Sequence, residues 1–319
     1  MIASALQSDY RPRRATFRST VWLVACLCAV SGCATTAKPC IDKDDQLSRH
    51  VVDGQEAFAE GQVDLAEKKY HQALMRAWAI DDPYESGTVA YNLAACLTSR
   101  AEYAEASDWL VDARVELCRA GSSTGNTWLL SAEIAMAEHR FEDAHRFVDY
   151  AAMACPPCEI GDKTCLCGPS EACYKENCGE CCVVRMPLIG KKLKAEKVDE
   201  ECRQGYDARI ELARARLAAK QFDLAGAKRH LARACELTED SCDLSLHADR
   251  HDVAALVHEI EADYLHAGAH RDREIRLLRC IGQYREIPNV LDAAADAYFS
   301  AERHDLAIDR MIRSARIRL

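Results

Sequence analysis

Residues 128–151, WLLSAEIAMAEHRFEDAHRFVDYA, decide the fold of this chain. Apolar side chains recur there every three or four residues in two runs, which is the spacing of α-helices buried on one face. A short polar link that contains His139 and Arg140 separates the two runs. Two amphipathic helices joined by so short a link are predicted to pack antiparallel as a helical hairpin.

The same order of residues recurs along the chain. The second helix is marked by an aromatic residue followed three positions later by Ala, as in Tyr103–Ala106 and Phe141–Ala144, and we place a weaker copy at Phe222–Ala225. Another hairpin, around residues 247–285, keeps little of the pattern beyond Gly268. Strand signals are almost absent after Asp45. We therefore predict an all-α solenoid of about six hairpins, whose clearer copies span residues 54–74, 93–113, 128–151 and 295–311.

This pattern resembles tetratricopeptide repeats (TPR), in which a small residue lets two antiparallel helices approach closely. The resemblance implies a non-enzymatic scaffold that binds a protein or peptide in a groove lined by the first helix of each hairpin. The residues at matching groove positions are Tyr91, Asn92, Thr98 and Ser99. One TPR subgroup clamps C-terminal carboxylates, and only Asn92 fits its pattern, because the other aligned positions hold Val51, Gln55, Asn126 and Leu130.

The first 45 residues have the features of an export signal. Four Arg precede an apolar run over residues 21–30 that is too short to span a bilayer. Val30-Ser31-Gly32-Cys33 follows and resembles the lipobox of bacterial lipoproteins. The resemblance implies that residues 1–32 are removed, that Cys33 is acylated and that residues 33–45 form a tether. Ala34 then implies sorting to the periplasmic face of the outer membrane.

Residues 155–204 interrupt the repeats with nine Cys and several Pro and Gly. Thiols are oxidised outside the inner membrane, so we expect this insertion to be held by disulfides. The candidates are Cys155, Cys158, Cys165, Cys167, Cys173, Cys178, Cys181 and Cys182. An alternative is that the insertion is a metal-binding or thiol-redox module, because Cys155, Cys158, Cys178 and Cys181 have the spacing of a four-thiolate zinc site.

The remaining cysteines suggest at least one free or intermolecular thiol. Of 18 Cys, two leave with the signal and Cys33 is acylated, so an odd number remains. We expect Cys96 to be the buried free thiol because it lies inside a first helix. We also predict a bridge between Cys235 and Cys242, and one from Cys40 to the body.

Composition and motifs exclude several classes of function. The net charge of −10 argues against nucleic-acid binding. We find no nucleotide-binding, serine-hydrolase or zinc-protease motif, so we expect no enzyme activity, small-molecule substrate or cofactor. His247 and His251 have a metal-ligand spacing, but the stretch is charged throughout, so we expect a solvated helix face and keep a metal site only as the alternative. Four Arg on the last helix fit either a favourable helix C-terminus or contact with anionic lipid or an acidic partner: Arg310, Arg313, Arg316 and Arg318.

Two groups of repeats are therefore expected around the insertion. Residues 46–154 hold repeats one to three, and residues 205–319 hold repeats four to six.

Overall fold

The computed structural model describes residues 44–154 and 192–318, apart from the side chains of residues 192–199 and 201. Within these ranges the chain forms twelve α-helices and one short 3-10 helix, with no strand. The helices are α1 Asp45–Ala59, α2 Val63–Ala79, α3 Pro83–Ser99, α4 Tyr103–Arg119, α5 Gly125–Ala137, α6 Phe141–Met153, α7 Lys192–Lys220, α8 Leu224–Leu237, α9 Leu244–Ile260, α10 Tyr264–Ile281, η1 Tyr284–Glu286, α11 Ile287–Ser300 and α12 His304–Arg318.

Consecutive helices pack in pairs and make six hairpins: α1 with α2, α3 with α4, α5 with α6, α7 with α8, α9 with α10, and α11 with α12. Each hairpin also packs on the next one. The prediction of an all-α array of about six hairpins is confirmed. The predictions on Cys33, Ala34, Cys40 and the eight insertion cysteines lie outside the described residues.

One Ala in each second helix sits against the first helix of its hairpin and is almost completely buried. We call these the marker alanines: Ala66, Ala106, Ala144, Ala227, Ala267 and Ala307. Each lies three residues after the start of its helix. Because Ala has no side chain beyond Cβ, the two helix axes approach closely at this point.

The predicted register of the fourth hairpin is wrong by two residues. The repeat is Leu224–Ala227 and not Phe222–Ala225, because α8 begins at Leu224. Phe222 lies in the preceding turn with φ of +60° and is 80% exposed. The fifth hairpin does carry the repeat, as Tyr264–Ala267, which the sequence reading overlooked.

A turn of one design connects the two helices of every hairpin. The residue two positions before the second helix is left-handed in all six turns, and only the first of them is Gly. These residues are Gly61, Ala101, His139, Phe222, Ala262 and Glu302. The six turns therefore share one backbone conformation, which is a common way to end a helix.

The third and fourth hairpins, which residues 155–191 separate in the sequence, pack directly on each other. Tyr206 of α7 packs against Gly125 of α5, where an added Cβ would lie 1.9 Å from the Tyr206 hydroxyl oxygen. That hydroxyl donates a hydrogen bond of 2.8 Å to the carbonyl of Ala151. The third and fourth hairpins are therefore in contact. Helix α7 begins at Lys192, so it includes the last part of the segment predicted to be the insertion.

The first hairpin also touches the link between the fifth and sixth hairpins. The guanidinium carbon of Arg285, in η1, lies 4.0 Å from the ring centroid of Phe58 in α1. A cation held over an aromatic face at this distance is attracted to it. The turn at Gly61 lies beside the same Arg285 side chain.

Candidate functional site

A polar surface is formed where the first helices of the second to fifth hairpins lie side by side. We call it the first-helix surface. It consists of Tyr91 in α3, Glu133 in α5, Arg209 and Arg216 in α7, and Asp249 and Asp252 in α9. Four separate hairpins supply these residues, so the surface exists only in the assembled array.

Tyr91 lies at one side of this surface. Its ring packs partly against the core of the first two hairpins. Burial raises the pKa of Tyr91 to about 12, and the charge of Glu133 adds to this while Arg209 opposes it. Of the predicted groove residues, Tyr91 is therefore brought together with charged side chains from α5 and α7. Asn92, the next residue, is partly exposed.

Arg216 connects three of the helices. Its Nη2 atom donates a hydrogen bond of 2.7 Å to Asp252 Oδ2 in α9, and its Nη1 atom lies 3.8 Å from Glu133 Oε1 in α5. A charge-assisted contact of this kind is stronger than one between neutral groups. Arg216 thus fixes the spacing of α5, α7 and α9.

The surface also carries carboxylates whose charge is incompletely balanced. Burial raises the pKa of Glu133 although Arg216 opposes the shift, and burial raises the pKa of Asp249 in the same way. The Glu133 side chain is nevertheless 51% exposed. A carboxylate that is surrounded by protein yet accessible can accept hydrogen bonds from a cationic or amide group of a bound partner.

A buried charge cluster lies directly behind Asp252. Arg271 of α10 is only 8% exposed at its side chain and contacts Asp252, Glu274 at 3.1 Å and Glu259 at 3.6 Å. Burial opposes ionisation of Asp252, but Arg216 and Arg271 outweigh it and lower the pKa of that carboxyl. Burial and the Asp252 charge raise the pKa of Glu274 to about 7.

This cluster occupies positions that are held by aliphatic or aromatic residues in the first four hairpins. Arg271 and Glu274 lie four and seven residues after the marker Ala267, where the second hairpin has Leu110 and Ala113. The fifth hairpin therefore replaces an apolar packing pair with a buried charged pair. Such a pair contributes little net stability but requires one particular arrangement of its partners.

Two predicted groove residues use their hydroxyls inside their own helix. Thr98 Oγ1 donates to the carbonyl of Ala94 at 2.8 Å, and Ser99 Oγ donates to the carbonyl of Cys96 at 2.6 Å. The two hydroxyl oxygens can therefore accept hydrogen bonds from a partner, but their protons are already used within the helix.

Sequence reasoning missed most of the first-helix surface. When the third hairpin is aligned with the second, Ala132 corresponds to Ala94, and Glu133 therefore corresponds to Ala95. Ala95 lies close in the sequence to the predicted groove residues. The seven-residue spacing of Arg209 and Arg216 places both on one face of α7. These signals were present in the repeat alignment, but the partners of each charge come from other hairpins.

The thiols of the described residues agree with one prediction and contradict another. Cys96 is a fully buried free thiol, and burial raises its pKa to about 12, so it is unreactive. The predicted bridge between Cys235 and Cys242 is wrong, because both are exposed free thiols. The loop between them is held by hydrogen bonds of Ser241 and Asp243 instead. Cys202 is disulfide-bonded.

His247 and His251, for which a metal site was the alternative, contact different partners. His247 Nε2 lies 2.8 Å from the carbonyl of Ser241, whereas His251 Nδ1 lies 2.9 Å from Nδ1 of His270 in α10. Over residues 44–154 and 192–318, no group of three or more His, Cys, Asp or Glu converges as metal ligands would.

Most of the arginines of α12 have partners within the chain. Arg310 pairs with Asp272 at 2.7 Å, Arg313 with Asp309 at 3.4 Å, and Arg318 with Asp292 at 2.6 Å. These contacts favour the structural explanation of the basic helix over binding to anionic lipid.

Comparisons with known proteins add no family. No protein-family model matches the chain, and the search of curated proteins returned no match. Of the helices in the described residues, none combines the length and apolarity needed to cross a membrane.

Proposed function

We propose that this chain is a non-enzymatic TPR-type scaffold that is anchored to the bacterial envelope by a lipid on Cys33 and binds a protein partner on its first-helix surface. The partner is an envelope protein or peptide at the periplasmic face of the outer membrane. Neither nucleic acid nor a small-molecule substrate is part of this proposal.

The observation that carries the proposal is the convergence of side chains from four hairpins on one partly exposed surface. Tyr91, Glu133, Arg216 and Asp249 offer an aromatic ring, hydrogen-bond donors and carboxylates there. These groups suit a polypeptide, which carries both donors and acceptors along its length. The incompletely balanced carboxylates favour a partner with Lys or Arg at the point of contact.

The anchoring part of the proposal depends on the lipobox-like sequence before Cys33 and on the apolar run before it. A protein bound to a membrane surface meets partners on the same surface at a raised effective concentration. Weak binding by the array would then be sufficient for function.

Site-specific photo-crosslinking in the native envelope tests the binding surface. A photoreactive residue in place of Glu133 is expected to form a defined crosslinked product, whereas one in place of Glu142 is not. Both positions are exposed Glu in the third hairpin, but Glu142 lies in the second helix α6. Equal crosslinking at both positions, or none at Glu133, contradicts binding on this surface.

Metabolic labelling with a fatty acid tests the anchor. Wild-type chain is expected to incorporate label and to partition with membranes, and Cys33→Ser is expected to lose both properties. Full membrane association of Cys33→Ser would contradict the anchor while leaving the crosslinking result unaffected.

A further inference from the structure

A small pocket opens between the first and second hairpins, with a volume of about 220 Å³. Its walls come from three helices, α2, α3 and α4. Two indole rings and two carboxylates are among the groups that line it: Trp78, Trp109, Asp112 and Glu116. None of the lining residues belongs to the first-helix surface, so the pocket is a separate feature of the array.

At the next junction of the array, an indole ring fills the corresponding position. When the second and third hairpins are aligned on their marker alanines, Trp128 corresponds to Ala90, which lines the pocket. The ring centroid of Trp128 lies 5.7 Å from that of Phe147 and 5.0 Å from that of Tyr150, and these two residues hold the positions of Trp109 and Asp112. Because Ala90 has no side chain beyond Cβ, the place of one ring is left open.

An arginine stacks on the ring that fills this place in the third hairpin. The guanidinium carbon of Arg114 lies 4.0 Å from the ring centroid of Trp128. Arg114 lies eight residues after its marker alanine, and the residue at that position in the first hairpin is Leu74, another part of the pocket wall. The array therefore already uses a guanidinium on an indole as a contact between hairpins.

The charges in the pocket favour a cation. Asp112 and Glu116 supply two carboxylates, and none of the lining residues is basic. Glu116 pairs with Arg119 at 2.7 Å, whereas Asp112 has no ion-pair partner among the residues that the structure describes. The Trp78 side chain is 49% exposed, so its ring is open to a ligand. A cation placed over an indole face and beside a carboxylate is attracted to both groups.

A buried hydroxyl in the pocket lacks a partner. Ser86 is only 2% exposed and lines the pocket. Its hydroxyl forms no hydrogen bond with another residue in the described part of the chain. A buried polar group without a partner is unfavourable, and a donor from a ligand would satisfy it.

We propose that this pocket binds the guanidinium group of an arginine side chain from a partner polypeptide. The planar group stacks on the indole of Trp78 or Trp109, and its N–H groups donate to Asp112 and to the hydroxyl of Ser86. A lysine ammonium lacks the planar face that stacks on a ring, so arginine fits these walls better. The pocket is thus a second contact site whose binding does not depend on the first-helix surface.

NMR of the full chain tests this proposal, with isotope labels at the indole nitrogens and a maltoside detergent. Trp78→Phe and Trp109→Phe assign the indole signals. N-acetyl-arginine amide is expected to shift the signals of Trp78 and Trp109 in a saturable way and to leave that of Trp128 unchanged. N-acetyl-citrulline amide has almost the same shape without the charge, and its dissociation constant should be at least about tenfold higher.

Two variants test the walls of the pocket. Asp112→Asn is expected to weaken binding of the arginine probe about fivefold, because a partly solvated ion pair is lost. The matched control is Asp108→Asn, an exposed aspartate of the same helix that does not line the pocket, which should change binding by less than about twofold. Ala90→Trp should abolish binding, because its ring would occupy the place that the Trp128 ring takes in the third hairpin.

Circular dichroism of every variant checks that the array is folded, and Asp112→Asn decides the test if Ala90→Trp does not fold. Four results would each overturn the proposal: no saturable shift of the two indole signals, equal binding of the arginine and citrulline probes, unaltered binding by Asp112→Asn, or tighter binding of N-acetyl-tryptophan amide or choline. The last result would show that the pocket takes an aromatic ring or a lipid headgroup instead.

Discussion

Replacing Arg271 by Leu is expected to destabilise the array strongly. The side chain is 8% exposed and contacts three carboxylates, and Glu274 is nearly as buried. Without the guanidinium, Glu274 loses its ion-pair partner in the interior, and Asp252 keeps only Arg216. Breaking a buried ion pair in this way costs about 3–5 kcal/mol of unfolding free energy.

The double variant Arg271→Leu/Glu274→Ala should recover most of that loss. It recreates the pair Leu110 and Ala113 of the second hairpin, both of which are fully buried. Asp252 keeps its contact with Arg216 at 2.7 Å. Since an apolar pair often replaces a buried ion pair without loss, we expect the double variant to lie within about 1 kcal/mol of the wild type.

Equilibrium unfolding in urea, followed by circular dichroism, measures both values. The pH should lie well above 7, because loss of Arg271 raises the pKa of Glu274 further. The control is Arg276→Leu, an exposed arginine of the same helix, which should change the unfolding free energy by less than about 0.5 kcal/mol. A loss below about 1 kcal/mol for Arg271→Leu, or a double variant as unstable as the single one, would refute the reasoning.

Three further perturbations probe the turns, the junction between hairpins and the histidines. Ala262→Gly, at φ of +56°, should raise the unfolding free energy by about 0.5–1 kcal/mol, since relief of left-handed strain exceeds the added chain entropy; an unchanged urea midpoint contradicts this. Tyr206→Phe should cost about 0.5–1.5 kcal/mol in the same assay because the carbonyl of Ala151 loses one of its two donors and keeps the N–H of Ala154; a neutral effect argues against that bond. Burial lowers the pKa of His251 and His270 to about 4, so their contribution to stability is complete above the ordinary value of 6.5 and is lost as the pH falls through about 4. As the pH falls from 6.5 to about 4, the melting temperature of His270→Gln should fall less steeply than that of the wild type. Identical melting profiles would contradict the lowered histidine pKa values.

The hairpins were predictable because their signals are local. Short polar links separate runs with helical periodicity, and the marker alanines Ala106 and Ala144 repeat with their aromatic neighbours. The fourth register was misjudged because Phe222 is aromatic but lies in the exposed turn. The fifth copy was missed because Arg271 and Glu274 stand where apolar residues were expected.

The first-helix surface could not be predicted in the same way. Glu133, Arg216 and Asp252 are far apart in the sequence, and each looks like an ordinary solvated helix residue on its own. Only the stacking of α5, α7 and α9 brings them within ion-pair distance. Charged residues carry no periodic signal that reveals such partners, whereas buried apolar residues do.

The contact between Arg285 and Phe58 changes how this chain is expected to lose its structure. In arrays with neighbour contacts alone, the terminal units fray first and the rest follows piece by piece. Here the opening of the first hairpin breaks an interaction with the link between the fifth and sixth hairpins, so the first hairpin and that link should melt together. Formation of the contact also requires the closure of a very long loop, which makes it a late step in folding.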